Sequence, residues 1–255
     1  MARISVSVVT YNSADVIDGV LKSLLQHEGE WPDVYIIDNH SSDDTIVRVR
    51  AHCPKATVLP QSDNRGFGAG HNAVLPLLRS TYHVIVNPDI TFEPTVLSAL
   101  ADYLDAHPDT VAVTPTVLNP DGTVQYVPRC LPRRRYMFAG KLERICPVPF
   151  RKWRDEYTRR LETFDGPTPV TFCTGCFMMV RTALFLELGG FDDRFFMYCE
   201  DADLSRRLAE HGRLMLIPGV AVTHEWTKAS GKSGKFLKIH LRSMRQYFKQ
   251  WRRAT

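Results

Sequence analysis

Alternation of β-branched runs with helical stretches constrains this chain more than any other feature. Ile4 to Val9 is a strand candidate, followed by a helical stretch from Ala14 to His27. Val34 to Ile37 is the next strand, and the polar run Asp38-Asn39-His40-Ser41-Ser42-Asp43-Asp44 leads into a helix over Thr45 to His52. Thr57 to Leu59 and His83 to Val86 are further strands, separated by a Gly-rich turn and a helix ending near Arg79. Strand–helix alternation of this kind predicts a doubly wound, mostly parallel α/β sheet. Such sheets bind ligands beyond the carboxyl ends of their strands. Thr10-Tyr11-Asn12, Asp38 and Asn87-Pro88-Asp89 all fall at that edge, which points to a nucleotide or phosphate-ester site.

The second half changes character. Val117-Leu118, Asn119-Pro120-Asp121-Gly122 and Val124 to Val127 have the pattern of a hairpin. Residues 129–168 are Pro- and Arg-rich with weak periodicity, as expected of a loop or short helices over the site. A strand is predicted over Val170 to Val180, a helix from Ala202 to His211, and a strand from Leu214 to Val222. Phe236 to Arg253 forms a basic amphipathic helix, with Leu237, Leu241, Met244, Phe248 and Trp251 on one stripe.

Charge is segregated. Residues 129–160 carry eleven Lys/Arg against three acids, and 228–255 carry nine with none, although the net charge is only +4. The remainder is strongly acidic, which suits a divalent-metal site, while the basic segments suit an anionic substrate or surface. No apolar run is long enough to span a bilayer, and the N-terminus lacks the pattern of a signal peptide, so a cytoplasmic protein with free thiols is expected. Cys173-x-x-Cys176 lacks the second pair that a zinc site requires, and a buried strand explains it better.

Among the candidate chemical groups, Asp89 ends a strand, yet its tripeptide recurs at 119–121, where a turn is sufficient explanation. Carboxylates at 192, 193, 200, 201 and 203 sit among aromatics; crowding of like charges favours metal binding or raised pKa values, although Asp201 or Asp203 could instead cap the following helix. His224 emerges at a strand end, where it is either a satisfied structural residue or a metal ligand. Gly66-Phe67-Gly68-Ala69-Gly70 departs from the dinucleotide spacing, which disfavours a nicotinamide enzyme; the glycines relieve crowding or expose N–H groups to an anion.

In their order along the chain these motifs resemble family 2 glycosyltransferases of the GT-A fold, particularly the bacterial rhamnosyltransferase-like branch. The resemblance implies a single Rossmann-like domain over 1–228, with a nucleotide-sugar half (1–115) and an acceptor and catalytic half (116–228). The basic loop and helix follow at 229–255. Donor binding would fall to Thr10, Tyr11, Asn12, Asp38, Asn64, Gly66, Phe67, Asn72, Asn87, Gly175 and Ser230. Asp89 and His224 would hold Mg2+ or Mn2+, and Asn87 replaces the first acid of the family's D-x-D motif. Asp201 would be the catalytic base, with Glu200 positioning the acceptor or tuning Asp201 through like-charge coupling.

The implied reaction is inverting transfer from a nucleotide-sugar, with dTDP-L-rhamnose first and a UDP-hexose or UDP-N-acetylhexosamine as alternatives. The implied acceptor is a lipid-linked precursor of a cell-surface polysaccharide. A nucleotidyltransferase and a non-catalytic sugar-nucleotide-binding protein remain as other classes, with no nucleic-acid partner expected. The terminal helix, 234–253, either docks on an anionic leaflet or packs on the domain.

Overall fold

The computed structural model describes residues 2–127, 129–136, 147–225 and 234–252. Strand β1 (Ile4–Thr10) is buried at all seven positions, as a strand covered on both faces must be. β2 (Asp33–Asp38) and β4 (Tyr82–Val86) flank it in parallel, and β3 (Thr57–Pro60) extends the parallel run beyond β2. Past β4 the direction alternates. β8 (Phe177–Arg181) is antiparallel to both β4 and β6 (Thr110–Leu118). β6 is parallel to β9 (Arg213–His224), on which β5 (Ile90–Phe92) and β7 (Thr168–Pro169) close in antiparallel fashion. The order is β3-β2-β1-β4-β8-β6-β9-β5, with β7 on β9.

Helices α1 (Ile17–Leu25) and α4 (Val96–Ala106) cover one face, burying Leu21, Leu24, Leu97, Leu100 and Leu104 against Val6 and Val8. α2 (Thr45–His52) is tied to α1 by Arg48–Asp18 at 2.6 Å. The other face carries the short α3 (Phe67–Asn72), α6 (Thr182–Glu187) and α7 (Glu200–Ala209), with Phe185, Leu204 and Leu208 packed on Val9, Ile37 and Ile85. α5 (Pro147–Thr158) belongs to the basic segment.

The last helix, α8 (Gly234–Gln250), packs its C-terminal half on the domain. Met244, Tyr247 and Phe248 bury against Phe172, Phe195 and Ala202, at roughly 1.5–3 kcal/mol per side chain. Leu237 and Leu241, on the expected apolar stripe, stay 46% and 51% exposed. Among the described residues no helix is long and apolar enough to cross a membrane.

The structure corrects several local expectations. The strand predicted from Val170 begins only at Phe177; residues 170–176, largely buried apart from Thr171 and Thr174, are irregular, because the Cys173 N–H donates to Ser205 Oγ (3.1 Å) and the Gly175 N–H to Asp201, not to a strand partner. The 117–127 hairpin shrinks to one bridge, Leu118 with Val124. α7 starts at Glu200 instead of Ala202, so the acidic pair occupies its first turn, where the helix dipole favours negative charge.

Neither Asp201 nor Asp203 supplies a helix cap. Asp203 is wholly buried as an anchor for α8: it accepts from Arg207 Nε (2.9 Å), Gln250 Nε2 (2.7 Å) and Trp251 Nε1 (2.9 Å).

Composition also gave no sign of a polar chain inside the sheet. His83 bridges the hydroxyls of Ser5 (2.8 Å) and Ser7 (2.9 Å), and Ser7 also meets His71 Nδ1 (2.7 Å). Burial pushes His83 down to about 3 and His71 well below its usual range, so both imidazoles are neutral near pH 7.

Candidate active site

The loop between β4 and β5 carries Asn87-Pro88-Asp89, and two backbone bonds fix it. The Asn87 N–H donates to Cys176 O (2.9 Å), and the Glu225 N–H donates to Asp89 O (3.0 Å). Antiparallel pairing of Ile90 with His224 then brings the Asp89 carboxylate to the end of β9. Asp89 Oδ1 lies 3.3 Å from His224 Nε2, but it is buried and makes no hydrogen bond.

The imidazole's tautomer follows from its neighbours. Gln125 Oε1 sits 3.2 Å from Nδ1, and Asn87 Nδ2, which can only donate, sits 3.5 Å from Nε2. Nδ1 therefore carries the hydrogen, and Nε2 turns its lone pair towards Asp89. With the hydrogen on Nδ1, the Nε2 lone pair and the Asp89 oxygen are two acceptors 3.3 Å apart, a spacing that fits a shared cation. Ligands on adjacent corners of an octahedral site with bonds of roughly 2.1 Å are about 3 Å apart. The carboxylate oxygen suits Mg2+ or Mn2+, and the imidazole nitrogen tips the pair towards the transition metal Mn2+. Among the described residues no third His, Cys, Asp or Glu completes a cluster. A Mg2+-type site completed by substrate phosphates does not require one.

The second acidic motif is tied to this loop through the 174–176 turn. The Gly175 N–H donates to Asp201 Oδ2 (3.1 Å), one residue before the carbonyl that holds Asn87. A Cβ on Gly175 would lie 2.8 Å from the Phe67 ring and 3.5 Å from Asp201 Cβ, so only glycine lets these groups close together.

Glu200 is buried with Oε2 unpartnered, and burial followed by the Asp201 charge raises its pKa to about 8. Burial also raises Asp201, but N–H bonds from Gly175 and Ala202 and the nearby Arg129 oppose the rise. Burial and the neighbouring charge thus favour the proton of the pair on Glu200, while the N–H bonds and Arg129 favour charge on Asp201, which is partly exposed. Tyr198 (φ 71) and Cys199 (φ 68) precede the pair in the left-handed region, backbone strain of the kind that clusters at functional sites.

The other acids of this segment have structural partners. Asp192 pairs with Arg194, Asp193 accepts from Asn72 Nδ2 (2.7 Å), and Asp203 anchors α8.

The glycine-rich turn docks on this segment. The Phe67 N–H donates to Phe196 O (2.9 Å), and a Cβ on Gly66 (φ 93) would lie 2.0 Å from that oxygen. Gly68 and Gly70 likewise lie against Phe191 and Val9, so crowding accounts for both. Asn64 Oδ1 accepts from the Gly66 N–H (3.0 Å) and shapes the turn. The Asn72 amide is engaged in clasping Phe191, donating to its carbonyl (2.8 Å) and accepting from its N–H (2.8 Å).

At the β1 and β2 ends, Asp38 is buried and accepts from Thr10 Oγ1 (3.1 Å) and the Ser41 N–H (3.1 Å). Asn12 (φ 51) accepts from the Ser42 N–H (2.8 Å), and Tyr11 stands 52% exposed at the edge. Ser230 lies outside the described residues.

Three site residues escaped the sequence reading: Gln125, Arg129 and Tyr157. Arg129 sits over the Tyr157 ring, 5.8 Å from its centroid, and both bear electrostatically on Asp201. Of the three, only Arg129 left a trace in the sequence, in the charge excess of 129–160.

The profile of glycosyl transferase family 2 matches residues 5–189, a span that ends before Glu200-Asp201 and His224. N-acetylglucosaminyl-diphospho-decaprenol L-rhamnosyltransferase of Mycobacterium tuberculosis is 29% identical over 239 residues, covering 88% of this chain and 76% of that protein. Rhamnosyltransferase WbbL of Escherichia coli is 38% identical over 89 residues, 34% of this chain and 33% of that one. The mannosyltransferase PcManGT of Pyrobaculum calidifontis, solved with GDP-Man and Mn2+, superposes with a TM-score of 0.64 at 20% identity, covering 99% of this chain and 65% of that one. S. aureus TarS 1–349 with UDP gives 0.63 at 19% identity; 88% of this chain matches, across 60% of that one. Below 25% identity these structures establish the GT-A-type fold alone. The profile match, over more than half of the chain, shows that the chain belongs to glycosyl transferase family 2.

Proposed function

We propose that this enzyme transfers L-rhamnose from dTDP-L-rhamnose, with inversion, to a hydroxyl of a lipid-linked precursor of a cell-surface polysaccharide. The observation that carries the reading is the division of labour in the buried acidic pair. Burial favours the proton on Glu200, while the Gly175 and Ala202 N–H bonds favour charge on Asp201, which keeps a partly exposed edge. A charged carboxylate at that edge can take the acceptor hydroxyl's proton as it attacks the anomeric carbon. Asp89 and His224 would hold the divalent cation, with Asn87 beside them; when bound, the ion stabilises charge building on the departing diphosphate.

Thr10, Tyr11, Asn12 and Asp38 would line the base and ribose end of the donor, with Gly66, Phe67 and Gly175 nearer the sugar. Asn64 and Asn72 would serve the donor indirectly, by shaping that turn and clasping Phe191. Ser230 remains a proposed diphosphate contact.

The relatives' names favour rhamnose and a diphospho-lipid acceptor. A donor-hydrolysis screen with dTDP-L-rhamnose, UDP-glucose, UDP-galactose and UDP-N-acetylglucosamine tests the donor; turnover with a UDP-sugar and none with dTDP-L-rhamnose would overturn it. Release of nucleoside diphosphate is expected, and release of pyrophosphate would indicate nucleotidyl transfer.

The exposed Leu237 and Leu241 beside Lys238, Arg242 and Arg245 favour peripheral contact with an anionic, cytoplasmic leaflet, where a lipid-linked acceptor lies. Co-sedimentation with anionic liposomes at low salt is expected, and should be lost in a Leu237→Ser, Leu241→Ser variant. A protein that stays in the supernatant would remove this contact.

A further inference from the structure

The repeated tripeptide at 119–121 lies outside the cleft, but the turn it makes has a consequence inside it. The Gly122 N–H donates to Asn119 O (2.9 Å), and Asp121 Oδ1 accepts from the Thr123 N–H (2.9 Å) and hydroxyl (2.6 Å). Gly122, at φ 81, allows the reversal. The returning strand bonds through the Gln125 N–H to Val117 O (2.8 Å), which lays the Gln125 side chain against the end of β9.

Gln125 is buried, and its amide is used at both ends on one residue. Nε2 donates to the His224 carbonyl (3.0 Å), and Oε1 receives Nδ1 of the same imidazole (3.2 Å). The first bond fixes which way the amide points, and the second therefore fixes the His224 tautomer. We infer that Gln125 is the positioning residue of the cation site, holding the His224 hydrogen on Nδ1 so that the Nε2 lone pair faces Asp89 Oδ1.

An apolar side chain here would leave Nδ1–H unpaired in a buried site. The hydrogen would then do better on Nε2, where it can reach the Asp89 carboxylate 3.3 Å away. That tautomer blocks the ligand nitrogen with a proton, and the internal pair competes with the cation. Loss of a ligand-orienting partner typically costs about tenfold to a hundredfold in metal affinity.

The inference rests on the proposed metal reading, so the test separates the two. Mn2+ binding to the metal-depleted full chain is measured by titration calorimetry for wild type, His224→Ala, Gln125→Met and Gln125→Glu. Expected are binding by wild type, loss in His224→Ala, a drop of about tenfold or more in Gln125→Met, and retention in Gln125→Glu, whose carboxylate still accepts from Nδ1. If wild type and His224→Ala bind alike, the metal reading itself fails. If wild type binds through His224 and Gln125→Met binds equally well, the role of Gln125 alone fails. Imidazole 15N shifts of the metal-free wild type give a readout that needs no variant. A protonated Nδ1 and bare Nε2 at His224 are expected, and the opposite tautomer would overturn the inference.

Discussion

Replacing Glu200 with Gln should change how the fold responds to pH before it says anything about catalysis. The folded protein keeps the Glu200 proton up to about pH 8, because burial and the Asp201 charge both oppose ionisation, whereas the unfolded chain releases it near 4.5. Across that window the folded state binds the extra proton, so stability is intact below it and falls as pH rises through it. A gap of this size corresponds to a loss on the order of 4 kcal/mol by pH 8. Gln is nearly isosteric with the protonated acid and cannot ionise. The variant should match wild type near pH 5 and exceed it progressively towards pH 8.

At about 2–4 °C per kcal/mol for a chain of this size, the separation in melting temperature at pH 8 should be about 10 °C. Calorimetric melts of both proteins in excess EDTA, at intervals from pH 5 to 8, provide the assay. Melting curves that stay parallel across that range would refute the assignment of the shared proton to Glu200.

Other perturbations probe the frame around the pair. Asp203→Ala strips the carboxylate from Arg207, Gln250 and Trp251, and should cost about 3–5 kcal/mol in denaturant unfolding, with early proteolysis of α8; an unchanged midpoint would dismiss the anchor. Gly66→Ala should cost more than about 2 kcal/mol, since its Cβ collides with Phe196 O at a left-handed φ; a neutral effect on urea unfolding would contradict that close approach. Tyr198→Gly should relieve left-handed strain, but lower kcat more than it changes donor KM as the acidic pair loosens; unchanged kcat would argue against a link between strain and catalysis.

What could be read in the sequence was what repeats along it. The strand–helix alternation gave the parallel β3-β2-β1-β4 half of the sheet, and the polar clusters fall at the carboxyl ends of those strands. The antiparallel insertion of β8 was hidden, because residues 170–180 are apolar apart from Thr171, Thr174 and Gly175, and only tertiary bonds decide that 170–176 stays irregular. Of the five clustered acids, side-chain partners separate Glu200 and Asp201 from the structural Asp192, Asp193 and Asp203, and no spacing rule marks that division. Gln125 was invisible for a related reason: a neutral amide carries no charge signature, and its role exists only because a turn folds it onto a residue 99 positions away. The terminal helix kept its predicted stripe, yet packing divides it. Met244 and Phe248 lie on the domain, and Leu237 and Leu241 remain outside it.

The central claim, that Asp201 removes the acceptor proton in sugar transfer, is tested most directly by Asp201→Asn. Donor affinity and transfer rate should be measured side by side, with dTDP-L-rhamnose and a polyprenyl-diphospho-sugar acceptor. The account predicts that dTDP-L-rhamnose still binds with an affinity close to wild type, while transfer falls by about a hundredfold or more. Transfer near the wild-type rate would exclude Asp201 as the base.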